Sequence, residues 1–102
     1  MYKRKDFRIN QKELEYILGN EWEFVKTKIL TNCLCFKCEE NKGNSTIVNY
    51  EIYIDYLNYV LFKGFCKKCN SKITRSIETG EDEKMCKRIN EVVISNGKKM
   101  IG

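Results

Sequence analysis

Residues 45–69 read STIVNYEIYIDYLNYVLFKGFCKKC. In the first half, Val48, Tyr50, Ile52 and Ile54 alternate with Asn49, Glu51 and Asp55, the period-two pattern of a half-buried strand. The segment DYLN at 55–58 carries turn residues at both ends. Tyr59–Phe65 then returns as a second strand and delivers the chain to Cys66. The tyrosines at 50, 53, 56 and 59 recur every third position and offer a helix over 50–62 as the competing reading. The β-branched residues of the first half favour the hairpin.

The hairpin lies between two paired-cysteine units, Cys35-Phe-Lys-Cys38 and Cys66-Lys-Lys-Cys69. Two residues between cysteines let one tight turn present both sulfurs to one ion, and a closed tetrahedral site needs two such turns. The intervening stretch is long enough for a hairpin to leave one and return to the other. Cys35, Cys38, Cys66 and Cys69 are therefore the expected metal ligands. Cys33, in CLCFKC at 33–38, is a possible alternative ligand. The absence of histidine removes His-containing sites, leaving four cysteines around structural Zn²⁺; iron uses the same ligand set. Asn70 tolerates the left-handed backbone that a turn needs after its second cysteine. Cys86, beside Met85 in an amphipathic stretch, reads as a small core residue.

CFKC, a hairpin, CKKC and a further strand at Lys72–Glu78 resemble the zinc-ribbon group over about residues 29–78. That resemblance implies a structural zinc between two turns on a three-stranded antiparallel sheet, with Ile73 and Ile77 of the third strand facing in. Cys33, the lack of a glycine after each pair, and the flanking helices depart from the pattern, so no subfamily is identified.

Beyond the ribbon, the expected fold is α+β, one domain over 1–102. Residues 1–9, with Lys3, Arg4, Lys5 and Arg8, read as a loose basic arm. Asn10 and Glu13 form a capping-box pattern, Leu14, Ile17 and Leu18 line one face, and Gly19-Asn20 is a stop, predicting a helix over 11–18. Residues 22–31 are rich in aromatic and β-branched types and predict a strand, although Trp22, Val25 and Ile29 continue the face of Leu18. After Thr79-Gly80, the acidic run EDE suits a first helical turn. Met85, Ile89, Val92 and Val93 predict a helix over about 81–95, ending at Asn96-Gly97.

At 102 residues the chain has a thin margin for a core, and a metal would staple it. MYKRKDFRINQKELEY has no apolar core of a secretory signal, and Tyr59–Phe62 is too short to span a bilayer, so a reducing cytoplasm and no membrane partner are expected. Enzyme activity is not expected, nor a small-molecule substrate. A four-cysteine site leaves no open position for water, histidine is missing, and no phosphate loop or serine nucleophile motif occurs. What remains is a small binding module. Lys63, Lys67, Lys68, Lys72 and Arg75, with net charge +5 and Phe65 and Tyr59 close by, point to nucleic acid. The alternative is a protein-interaction module, such as a phage- or mobile-element-encoded inhibitor of a host nuclease or polymerase, anti-CRISPR-like in size and style. Aromatics interleaved with lysines favour the first; Tyr53, Tyr56 and Trp22 clustered apart from them favour the second.

Overall fold

Asn10 has extended backbone, and its side chain accepts a hydrogen bond from the Glu13 N–H (2.8 Å). The Glu13 carboxylate accepts in return from the Asn10 N–H (2.9 Å), satisfying two donors that a helix start leaves open. This pair begins α1 (Gln11–Leu18), which buries Leu14, Ile17 and Leu18 and ends at Gly19, whose φ of 55° lies in the region that favours glycine. The computed structural model describes residues 6–33, 35, 37 and 45–101, with side chains through residue 95.

Residues 22–31 are not a strand. The chain re-enters helix as α2 (Glu21–Phe24) and runs into one wide π turn, Val25–Ile29, closed by Leu30 N–H to the Val25 carbonyl (2.9 Å). Burial overrides propensity: Val25 and Leu30 are buried and Trp22 and Ile29 pack against the core, continuing the spacing of Leu18. Thr27 and Thr31 hydroxyls donate back to the Glu23 and Thr27 carbonyls (2.8 and 2.7 Å), absorbing part of the polarity that made the run ambiguous.

The sheet has four strands, not three. β1 (Phe7–Ile9), expected as loose arm, pairs antiparallel with β2 (Ile47–Ile54), which pairs with β3 (Val60–Cys66), which pairs with β4 (Lys72–Ile77). The added strand follows from alternation: Ile9 is buried and Phe7 packs on the core, while Arg8 faces out. Lys3, Arg4 and Lys5 lie outside the described residues. A helix over 50–62 is excluded by β2 and β3.

One detail of β2 departs from simple alternation. Its register with β3 shifts between Val48 and Glu51, where Asn49 has φ 51°. This bulge turns Ile47 inward with Ile52 and Ile54 and puts Val48 opposite Phe65 on the other face, so the expected four-residue face is broken. Gly64 makes the bulge possible. A Cβ there would stand 2.7 Å from the Val48 carbonyl oxygen and 2.9 Å from both Ile47 Cγ1 and Tyr50 Cα.

The far end of the sheet is closed by side chains. Asp55 accepts from the Leu57 and Tyr59 N–H groups (both 2.9 Å), and Asn58 completes the β2–β3 turn at φ 62°. Thr79, buried, donates to the Asn58 carbonyl (2.7 Å) and accepts from the Val60 N–H (3.0 Å). A 3₁₀ turn, Thr79–Glu81, leads to Asp82, whose carboxylate accepts from the Met85 N–H (3.0 Å) at the start of α3 (Glu83–Ile101). Ile89 and Val92 are buried and Met85 and Val93 pack beside them, the predicted face. The helix does not stop at Asn96-Gly97: an interior glycine costs only about 1 kcal/mol, and the Lys98, Lys99 and Met100 that follow are good helix formers.

The core lies between the helices and one face of the sheet, centred on Phe62, Ile54, Val60, Leu14, Ile17 and Ile89. The opposite face carries Arg8, Glu51, Tyr53, Lys63, Phe65, Lys72 and Thr74 by register.

Candidate metal centre

The cysteines meet at the end of the sheet away from the Asp55 turn. Cys33 and Ser45 exchange both backbone hydrogen bonds (2.7 and 2.8 Å), and Ile47 N–H bonds the Leu30 carbonyl (3.0 Å). These bonds hold Cys35 beside the beginning of β2. The second turn is built on β3: Cys66 N–H bonds the Ser71 carbonyl (2.8 Å), Asn70 N–H bonds the Cys66 carbonyl (2.9 Å), and Lys67 N–H bonds the Thr46 carbonyl (2.9 Å). Asn70 takes φ 62°, the left-handed position expected of it.

Sulfur atoms of Cys35, Cys66 and Cys69 all lie within 4.8 Å of one another, and Cys35 and Cys69 are 3.5 Å apart. Tetrahedral Zn²⁺ with bonds of about 2.3 Å needs sulfurs about 3.8 Å apart, so this donor set fits such an ion. Cys35 and Cys66 are buried and Cys69 is exposed.

The surroundings favour thiolates unequally. The Ser45 hydroxyl, 2.8 Å from Cys66 Sγ, and the N–H groups of Cys69 and Lys68 hold the Cys66 thiol down at about 6. Ser71 does the same for Cys69, through its hydroxyl 3.3 Å away and its N–H, lowering that thiol. Burial pushes Cys35 up, with the neighbouring Cys69 adding to it, while the Lys37 N–H opposes the rise. Backbone N–H groups two or three residues past each sulfur thus point at the cluster, as a metal-binding turn requires.

Three of the four expected ligands therefore come together; Cys38 lies outside the described residues. Cys33 is not part of the cluster. Its sulfur is buried against the Ile29 and Leu30 carbonyls (3.4 and 3.6 Å), and burial pushes its thiol up while Arg75 pulls it partly back. Cys86 is not a core residue: it is half-buried, 3.2 Å from the Asn58 side-chain amide. Ser45 and Ser71 are the residues the sequence reading missed. Ser71, two positions after Cys69, was within reach of the motif. Ser45 depends on the Cys33–Ser45 pairing, which has no local signature.

The five expected nucleic-acid contacts divide. Lys67, Lys68 and Lys72 are exposed around the second turn. Lys63 faces out but bonds Asp6 (2.7 Å) and sits over the Tyr53 ring, 4.4 Å from its centroid. Arg75 does not join that surface: it pairs with Phe62 in register, so it points to the core side, and its Nε is buried with no hydrogen-bond partner among the described residues. Tyr59 is drawn to the opposite end, its hydroxyl donating to Glu81 (2.7 Å). Trp22 packs against the core and Tyr56 stands at the turn, so the tyrosines and tryptophan do not form one cluster.

Fold and cluster together define a small α+β protein with a four-stranded antiparallel sheet and a cysteine site able to hold a metal ion. Among the described residues, no helix is long and apolar enough to cross a membrane. No protein-family model matches the chain, and no curated protein or solved structure does either.

Proposed function

We propose that the chain is a non-catalytic binding module in which Cys35, Cys38, Cys66 and Cys69 hold a structural Zn²⁺, and that it contacts nucleic acid through the basic surface beside that site. The carrying observation is the convergence of Cys35, Cys66 and Cys69 within 4.8 Å, with Lys67 and Lys68 exposed on the turn that supplies two of them. With Cys38 as fourth ligand the ion has no open position, so its contribution is to folding rather than to chemistry. The ordered turn then displays lysines at fixed spacing, and their attraction to phosphates is the salt-sensitive kind.

The test is fluorescence polarisation of zinc-loaded protein with labelled single-stranded DNA, duplex DNA and RNA at low and physiological salt. Micromolar binding that weakens steeply with salt, and that Lys67→Glu/Lys68→Glu abolishes, is expected. No binding at low salt overturns the reading. One observation favours a second reading, a protein-interaction module of the host-inhibitor type: Tyr56 and Leu57, adjacent at the β2–β3 turn, are 48% and 51% exposed.

A further inference from the structure

The outer face of the sheet carries a groove of about 400 Å³ that the metal site does not use. Two register pairs line it, Phe65 with Lys72 and Glu51 with Lys63, and Asn49 and Thr74 supply an amide and a hydroxyl. Gly64 also lines it, where β3 passes the β2 bulge. The bulge matters here, because Asn49 at φ 51° is exposed and Val48 is brought opposite Phe65.

Each component matches one part of an unpaired nucleotide. Phe65 is a half-buried aromatic ring on the solvent side of a central strand, a platform that needs a free π-face to stack on. Lys72, exposed and paired in register with Phe65, is an ammonium beside that platform, and Lys67 and Lys68 follow immediately at the turn. Among the described residues that line the groove, Glu51 is the one carboxylate, and it is engaged by Arg8 (3.4 Å) and by the Tyr53 hydroxyl (2.7 Å), so it opposes phosphate weakly. Asn49 and Thr74 offer both donors and acceptors to a base edge. A duplex presents no free base face, so an aromatic at the centre of this basic surface suits an unpaired strand better than a duplex.

We infer that the groove between Asn49, Glu51, Lys63, Phe65, Lys72 and Thr74 binds one unstacked base of single-stranded nucleic acid, with Phe65 as the stacking surface and Lys72 on the adjoining phosphate. The inference rests on the nucleic-acid reading above and specifies its substrate and its place. Lys67 and Lys68 continue the phosphate track toward the metal site.

The test uses the full zinc-loaded chain with labelled single-stranded DNA and RNA 12-mers and the matching DNA duplex, for wild type, Phe65→Leu, Lys72→Glu and Lys67→Glu/Lys68→Glu. Melting curves and metal content establish that each variant is folded. Single strands are expected to bind at least tenfold tighter than duplex. Phe65→Leu, which keeps apolar bulk but not the ring, is expected to lose at least about fivefold on single strands and nothing on duplex. Equal binding of single strand and duplex, with Phe65→Leu unchanged and the double lysine variant inactive, overturns the groove while leaving the basic-turn reading standing. No binding by wild type overturns both.

Discussion

The two ends of this sheet are closed by different chemistry. At the Asp55 end, the protein satisfies itself: Asp55, Asn58, Thr79 and Asp82 pair the backbone groups of a turn, a strand start and a helix start. At the cysteine end, Ser45, Ser71 and several N–H groups converge on the Cys66 and Cys69 sulfurs and favour their ionised forms, while burial opposes ionisation of Cys35 beside them. One end is finished by hydrogen bonds. The other brings together three sulfurs that could hold a metal ion, and the contrast predicts that the ends fail for different reasons.

The largest effect belongs to the cysteine end. Cys66→Ser is expected to abolish stoichiometric metal and to lower the melting temperature by more than ~10 °C. Cys38→Ser should match it in metal loss if that residue is the fourth ligand, whereas Cys33→Ser and Cys86→Ala should keep full metal content. A Cys66→Ser protein that melts with wild type would dissolve the distinction between the ends. At the other end, Thr79→Val removes a hydroxyl that serves the buried Val60 N–H and the part-buried Asn58 carbonyl. A loss of ~2–3 kcal/mol in urea unfolding is expected, with metal content unchanged. Metal loss in that variant would mean that the ends are not independent.

Gly64→Ala tests the strand that joins them. The added methyl meets the Val48 carbonyl and the Ile47 side chain, and a cost of ~1–3 kcal/mol is expected from the same unfolding measurement. An unchanged midpoint would show that the bulge gives way freely. The smallest effect is a pH dependence at the Asp55 end. The hydrogen bond from Tyr59 to Glu81, with some burial, pushes the Tyr59 hydroxyl up to about 12. A group whose folded value is raised contributes stability that is fully present below its unfolded value near 10 and is lost as pH rises toward 12. The Tyr16, Tyr50 and Tyr53 hydroxyls are raised as well, so ultraviolet titration of Tyr59→Phe should lose one component of a late-titrating group; a late region unaltered by that substitution contradicts the contact.

Sequence reading reached the parts whose signals are local. The Asn10–Glu13 cap, the Asp55–Asn58 turn, the left-handed Asn70 and the inward face of α3 each depend on residues a few positions apart. It failed where distant burial decides. Residues 22–31 have strand-like composition, yet the apolar surface left by Leu18 draws Trp22, Val25 and Ile29 into helical register. Phe7–Ile9 is too short to announce a strand and becomes one only because β2 offers an edge. The shift of Val48 comes from a bulge that only Gly64 permits, and Gly64 sits on the neighbouring strand. At the site, the cysteine spacing identified the cluster, but Arg75 went to the core side because the register of β4 places it opposite Phe62.

Cobalt titration of the reduced, metal-free chain tests the cysteine site directly. One equivalent of Co²⁺ is expected to bind with the intense visible absorption of a tetrahedral thiolate site, bleached by one equivalent of Zn²⁺. Absence of that spectrum, or a spectrum that survives in Cys66→Ser, would contradict it.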